Sequence, residues 1–334
     1  MKRLLELRKK AKKEKKKIVL PEGDDARIVK AAAFIVQEGI ANVILLGDPD
    51  DMTKLAGECG CSLDGVEIID PSEHDKKQEI VDTYYELRKP KGMTSGEARQ
   101  TVMDNFVFYG AVMTRIGLAD GFVAGANHTT SSVARAAIQC LTLDKDIGTV
   151  CSSFIMEMED RTFGEEGLFA YGDCAVIPHP SSRQLVGIAI ATSDIFHKMF
   201  DITPRVAMLS YSTKGSTTTK EETIGTIRTA LEMIKQKRPD LIIDGELQLD
   251  AAIVPEVAKR KCPDSKVGGR ANVLIFPNLD AGNISYKLTQ RLGKARAVGP
   301  VLQGLDKPCS DLSRGCSWED VVDVVAVTVI RAKG

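Results

Sequence analysis

No GxGxxG follows the first apolar run, and no GxxxxGK[ST] occurs anywhere in the 334 residues. The two commonest glycine-rich cradles for dinucleotides and nucleoside triphosphates are thus missing, which demotes the usual α/β enzymes of both kinds. Histidine is scarce, and His74, His128, His179 and His197 stand at no ligand spacing to one another. A metal site and a Ser-His-Asp relay are disfavoured accordingly. Cys59, Cys61, Cys140, Cys151, Cys174, Cys262, Cys309 and Cys316 form neither a CxxC pair nor a zinc spacing. They read as reduced thiols, and the expected compartment is the cytoplasm. Apolar runs such as Leu185 to Ala191 fall well short of the ~20 residues of a membrane helix. The N-terminus carries positive charge but no apolar stretch of a secretion signal, so neither membrane nor export is expected.

A net charge of -1 leaves no field over the whole molecule for nucleic acid. The charge is uneven, because the first 17 residues hold ten Lys or Arg against two Glu and leave the remainder near -9. Without interleaved aromatics or a broad apolar face, that stretch reads as a solvated helix with Leu4, Leu5 and Leu7 lying on the body. The length exceeds what one hydrophobic core usually serves, so two domains are expected.

Strand and helix patterns alternate along the chain. Ile18-Val19-Leu20 ends at Pro21-Glu22-Gly23, helical spacing runs over 26–38 to Gly39, and Ala41 to Leu46 reads as a buried strand. Strand, helix, strand with short turns is the mark of a right-handed crossover in a parallel sheet. The pattern continues with a strand at 66–69, helices at 74–88 and 95–117, and a strand at 121–125. A second series has strands or half-buried runs at 150–156, 173–178, 205–211, 241–245 and 271–277, with helices at about 181–198, 218–236, 249–260 and 280–296. The fold class expected is α/β, with two doubly wound layered domains.

Polar residues gather where such sheets bind ligands, just past strand ends. Ala126 to Ser132, followed by Arg135, places four successive hydroxyls, Thr130 among them, at the start of a helix. Ser210 to Ser216, with Lys214 and Gly215, suits an anion or an ordinary cap and turn equally. Asp244 to Asp250 is acidic, which fits helix N-terminal charge balance better than Mg²⁺. Richest of all is Ser313 to Asp320, where a hydroxyl, a fixed cation and a carboxylate precede the last apolar helix. Ser317 and Asp320 have capping-box spacing, while Arg314 beside a helix N-terminus matches a phosphate or carboxylate bidentately. These segments point to a phosphorylated substrate, and residue patterns alone stop at that class.

At the same residues the chain resembles the phosphate acetyl/butyryltransferase family. The similarity rests on Ser210-Tyr211-Ser212-Thr213-Lys214-Gly215-Ser216, Asp244-Gly245-Glu246-Leu247-Gln248-Leu249-Asp250-Ala251-Ala252, Ile275-Phe276-Pro277, Gly282-Asn283 and Asp311-Leu312-Ser313-Arg314-Gly315-Cys316-Ser317, in family order and spacing. It covers essentially the whole chain. The resemblance implies an isocitrate/isopropylmalate dehydrogenase-like architecture with a cleft between domains, one built from 1–145 plus 300–334 and the other from 146–299. It implies a homodimer, no permanently bound cofactor, and exchange of acetyl groups between coenzyme A (CoA) and phosphate: acetyl-CoA plus phosphate against acetyl phosphate plus CoA.

Residue by residue, the resemblance assigns Ser313 and Arg314 to positioning and transition-state stabilisation, and Asp320 to general base. Arg88 and Arg135 match arginines that bind CoA or its partner substrate, with Thr130, Lys214 and Cys316 also expected to line the site. Two departures are Asn127-His128-Thr129-Thr130, where Ala-His-Ser-Ser is commoner, and Trp318, where an acid is frequent. CoA brings its own sulfur, so Cys316 is not expected to be the nucleophile. The alternatives left open are a butyryl- or propionyl-transferring relative, a metal- and NAD-dependent dehydrogenase on a related fold, and a noncatalytic binding protein.

Overall fold

A computed structural model describes residues 2–217 and 221–332 of the chain. The N-terminal stretch runs α1 (Lys2–Ala11), β1 (Lys17–Leu20), α2 (Ala26–Gln37), β2 (Asn42–Leu46), α3 (Pro49–Glu58) and β3 (Glu67–Ile69). It continues with α4 (Lys77–Arg88), α5 (Ser95–Asp104), α6 (Phe106–Arg115), β4 (Gly121–Ala124) and α7 (Thr130–Cys140). The middle holds β5 (Cys151–Glu157), β6 (Leu168–Gly172), α8 (Ser182–Phe200), β7 (Arg205–Leu209), α9 (Glu222–Lys237) and β8 (Ile242–Leu247). Next come α10 (Leu249–Ile253), α11 (Pro255–Lys261), β9 (Val273–Ile275), α12 (Leu279–Arg291) and β10 (Arg296–Gln303). The chain closes with β11 (Cys309–Asp311) and α13 (Trp318–Arg331).

Two compact units result. The terminal unit joins Leu5–Leu143 to the stretch from Leu305 onward, and the middle unit joins Asp144–Gly304 to the residues up to Leu4. In the terminal unit the strands lie in the order β3-β2-β1-β4-β11, every pair parallel. The chain moves outward from β1 to β2 and β3, then returns to the other side of β1 as β4. The sheet therefore reverses direction between β1 and β4, the place where open α/β sheets form a crevice at the strands' carboxyl ends. The middle unit has the order β10-β5-β6-β9-β7-β8, antiparallel at β10, β5 and β6 and parallel beyond.

The mixed α/β class is the one the alternation implies, and several elements differ from expectation for local reasons. Leu4 and Leu7 are buried, but Leu5 points outward at 55% exposure, because a helix turns each successive side chain by about 100°. The helix expected over 95–117 breaks at Asn105, whose side chain accepts the Val107 N–H at 3.0 Å and starts α6. Pro255 divides the one expected at 249–260 into α10 and α11. Residues 173–178 are a partly buried run and not a strand. There the Asp173 carboxylate accepts the N–H groups of Ala175, Val176 and Ile177, and curls the chain round itself after β6. The helix expected over 218–236 appears as α9, and residues 218–220 lie outside the described residues.

Candidate active site

Three neighbouring strands of the terminal unit, β1, β4 and β11, end in loops that are tied together by side chains. Glu22, 2% exposed, follows β1 and reaches across the reversal point. Its Oε2 accepts the N–H groups of Gly125 and Ala126 at 2.8 Å each, and its Oε1 accepts those of Asn127 at 2.8 Å and His128 at 3.1 Å. His128 Nδ1 lies 2.7 Å from the same Oε1. Burial works against the charged carboxylate, but the His128 bond and the loop N–H groups outweigh it and hold the Glu22 pKa below its ordinary value. In return Glu22 raises the His128 pKa, against partial burial. The loop after β4 is thus wound round an internal anion.

Arg27, on the first turn of α2, fastens the third loop. Asp25, the N-cap of α2, orients the guanidinium with contacts of 2.6 Å to Nη2 and 3.0 Å to Nε. Nη2 also donates to Ala126 O at 2.9 Å, while Nη1 donates to Arg314 O at 2.7 Å and Cys316 O at 3.2 Å. One side chain therefore joins the loops after β4 and β11. A planar guanidinium with five N–H donors is the group that can do this.

The segment after β11 carries the residues singled out in the sequence. Ser313, Arg314 and Gly315 are exposed, and Cys316 beneath them is buried. Ser313 Oγ accepts the Gly315 N–H at 3.3 Å. Ser317 and Asp320 form the capping box of α13: Ser317 Oγ accepts the Asp320 N–H at 3.2 Å, and Asp320 Oδ2 accepts the Ser317 N–H at 2.8 Å. The Asp320 carboxylate is thus fixed by one oxygen at the start of the helix, while the residue stays partly exposed. Trp318 sits edge-on to Phe34 at 5.2 Å, with Lys30 Nζ 4.9 Å from its ring centre, so it docks the start of α13 on α2. Burial pushes the Cys316 thiol up to about 11 despite the nearby Arg27, with Asp320 and Asp25 adding to the rise. It is a thiol at neutral pH and packs below the loop.

Thr130, at the start of α7, donates its hydroxyl proton to Asp311 Oδ2 at 2.6 Å, which joins the β4 and β11 ends once more. Arg88 closes α4, and Arg135 lies exposed on α7. Both stand near Tyr84, whose hydroxyl donates to Gln139 Oε1 at 2.6 Å and is pushed up to about 12 by burial, against these two cations. Arg88 Nε is buried without a hydrogen-bond partner. Among the described residues, none of Arg88, Arg135 and Arg314 is paired with a carboxylate, in contrast to Arg8 and Arg27 of the same unit.

Lys214 belongs to the middle unit. Its Nζ contacts Asp244 Oδ1 and donates to Gly245 O at 3.1 Å. The loop Ser210 to Ser216 that suited an anion already holds one: Glu246 accepts Gly215 N–H at 2.8 Å, Ser212 Oγ at 3.2 Å, and Arg228 Nε and Nη2 at 2.9 and 3.0 Å. Against the cost of burial, Arg228 and the Gly215 N–H bring the Glu246 carboxyl down to about 2. Asp250 is likewise paired with Lys261 at 2.8 Å. The acidic run at 244–250 therefore serves charge balance inside its own unit, and no cluster among the described residues has the donors for a metal ion.

The sequence reading missed Glu22, Asp25, Arg27 and Asp311. Pro21-Glu22-Gly23 was visible as a turn, but nothing local shows that the side chains of Glu22 and Arg27 reach loops about a hundred or more residues away. A cavity of about 660 Å³ lies beside Glu22 and His128, at the ends of β1 and β2. Asp24, Asp48, Asp51, Glu58 and Asp104 line it, which makes it a poor receptacle for an anion, and Ser313, Arg314 and Asp320 take no part in it.

Comparison with known proteins gives matches over nearly the full length. The family model described as Phosphate acetyl/butaryl transferase matches residues 3–329. A phosphate acetyltransferase of Thermoanaerobacterium thermosaccharolyticum is 49% identical over 97% of this chain and 97% of its own. One of Acetivibrio thermocellus is 49% identical over 97% of this chain and 96% of its own. The solved structure of a phosphotransacetylase from Streptococcus pyogenes superposes with a TM-score of 0.90 at 38% identity, covering 98% of each chain.

Proposed function

The chain belongs to the phosphate acetyl/butaryl transferase family, and from that premise we propose that it moves an acetyl group between CoA and phosphate by direct thiolate attack in a ternary complex. Its activity is that of an acyltransferase, a phosphate acetyltransferase. The observation that carries the mechanism is the segment Ser313 to Asp320, where an exposed hydroxyl, an arginine without a carboxylate partner and a carboxylate fixed at a helix start stand within eight residues.

A thiol of pKa about 8.5 is only a few per cent ionised at neutral pH, so a base beside it raises the reactive fraction. Asp320 takes the CoA thiol proton. The thiolate attacks the carbonyl carbon of acetyl phosphate, the C–S bond forms, and the C–O bond to phosphate breaks. Phosphate leaves as a stable anion and needs no second acid. Arg314 and the Ser313 hydroxyl stabilise the carbonyl oxyanion or the departing phosphate. Arg88 and Arg135 take anionic groups of CoA or its partner substrate, which suits cations without a carboxylate of their own. Thr130 meets the phosphate. Lys214 and Cys316 are weaker members of this set, since the first is held by Asp244 and the second packs below the loop.

No step requires a resident metal or redox group. The reading extends to a homodimer, for which Ile284 and Leu288 on α12 and Leu292 at its C-cap offer exposed apolar side chains at four-residue spacing. The eight cysteines, none of them in a disulfide, suit a reducing compartment, the cytoplasm. No helix among the described residues is long and apolar enough to cross a membrane. The test of acyl preference is the initial rate of thioester formation from CoA with acetyl, propionyl and butyryl phosphates. A higher kcat/KM for acetyl phosphate is expected, and a higher value for butyryl phosphate would transfer the assignment to the longer-chain branch.

A further inference from the structure

Asp311 ends β11 with a carboxyl group entirely out of solvent, two residues before Ser313. Its Oδ2 meets the Thr130 hydroxyl at 2.6 Å, and its Oδ1 is buried with no hydrogen-bond partner. An ionised carboxylate with one bare oxygen in a dry strand end is costly to maintain. The neutral acid fits the same geometry at lower cost, with its O–H directed at Thr130 Oγ1. The consequence falls on Thr130, because a hydroxyl has one hydrogen to give. When it donates to a carboxylate, only lone pairs face outward. When it accepts from a carboxylic acid, its hydrogen is free for a ligand, at the start of a helix whose unsatisfied N–H groups already favour an anion.

We propose that Asp311 is a positioning residue: by holding a proton it turns the Thr130 hydroxyl into a donor toward the phosphate substrate, so that phosphate binding draws one proton from solvent. The proposal rests on the functional reading above, in which Thr130 meets that phosphate. The groups facing Asp311 fit the role. Burial pushes its pKa up to about 7, against the Thr130 hydroxyl, the Leu312 N–H and Arg314, while the Glu22 carboxylate behind the β4 loop adds to the rise. Cys309, on the same strand, is pushed up to about 12 by burial and stays neutral. The sign follows: as pH rises through the Asp311 range, the carboxylate reclaims the Thr130 hydrogen and phosphate affinity falls. With one proton coupled, the dissociation constant rises about tenfold per pH unit above that range.

The experiment is calorimetric titration of inorganic phosphate into the whole protein at about pH 8 and about pH 9, in buffers of different ionisation heat. Phosphate is mostly the dianion over that interval, and the proton contribution of the remaining monoanion is common to wild type and variants and cancels in their comparison. The wild type is expected to take up close to one proton per phosphate and to lose affinity about tenfold between the two pH values. Asp311→Asn, whose amide donates to Thr130 at every pH, is expected to take up none and to keep a flat affinity. Thr130→Ser keeps the proton linkage, and Thr130→Val loses it together with affinity. Equal proton uptake in wild type and folded Asp311→Asn overturns the proposal. Should Asp311→Asn fail to fold, equal uptake in wild type and Thr130→Val overturns it instead. Acetyl-CoA formation by the wild type is read in parallel. Thioester formation without proton linkage sinks the positioning role alone, and absence of the thioester sinks the functional reading.

Discussion

Glu22 and His128 bind the β4 loop with opposite dependence on pH. The Glu22 pKa is lowered by His128 and the loop N–H groups against burial, so its stabilisation is present above the ordinary carboxylate range and is lost as pH falls through the lowered folded value. The His128 pKa is raised by Glu22, so its contribution is complete below the ordinary imidazole range and is lost as pH rises through the raised folded value. His128 keeps 32% of its side chain in solvent, which makes the alkaline effect the smaller of the two. Thermal unfolding followed across pH checks this: His128→Gln is expected to flatten the decline above neutral pH, and an unchanged slope would remove the pair from the account. Cys316 gives a second residue-scale expectation. Its thiol is pushed up to about 11 by burial and, in the proposed mechanism, CoA supplies the reacting sulfur, so Cys316→Ser should retain acetyl transfer. Loss of activity in a folded Cys316→Ser protein would reopen a covalent intermediate on that sulfur.

Among elements, α13 matters most, because its first turn holds Asp320. In the proposed mechanism capping and catalysis share one carboxylate, and they separate on substitution. Ser317→Ala removes the acceptor of the Asp320 N–H and is expected to cost about 1 kcal/mol of stability, with a modest fall in kcat, since the bond from Ser317 N–H to Asp320 Oδ2 survives. Urea unfolding and steady-state rates on the same sample test the separation. Arg27 has a wider reach: Arg27→Ala strips the donor from Ala126, Arg314 and Cys316 carbonyls and leaves Asp25 without its cation. A fall in kcat/KM is expected with the protein still folded, recovered in part by Arg27→Lys, and wild-type kinetics in the alanine variant would contradict the clamp. The sequence makes α2, α8 and α13 legible because apolar spacing and cap residues agree in each. It hides β10, where Gly299 and Pro300 interrupt the strand and its register shifts between Val298 and Val301. β11, three residues long, carries too little pattern to be read as a strand.

For the molecule as a whole, the sequence reaches further than its local patterns do. The α/β class follows from alternating strand and helix periods, and family resemblance names Ser313, Arg314 and Asp320 in one contiguous stretch. The supports under that stretch were not legible, because Glu22, Arg27 and Asp311 act on partners 103, 287 and 181 residues away. No periodicity encodes a contact of that span. A loop such as Ser210 to Ser216 fails in the opposite way, since its composition advertises an anion site that Glu246 of the same unit occupies. The proposed homodimer is testable at this scale too: wild type is expected at dimer mass in light scattering and Leu288→Asp with Leu292→Asp at monomer mass, while a monomeric wild type or an unaltered variant would contradict the proposed interface. The central claim is that the protein makes acetyl-CoA from acetyl phosphate and CoA with Asp320 as the base. Its most direct test is the kcat of Asp320→Asn against wild type at saturating substrates. The account expects a fall of about 10²-fold or more with little change in either KM. A kcat near wild type would contradict it and leave Asp320 as a helix cap.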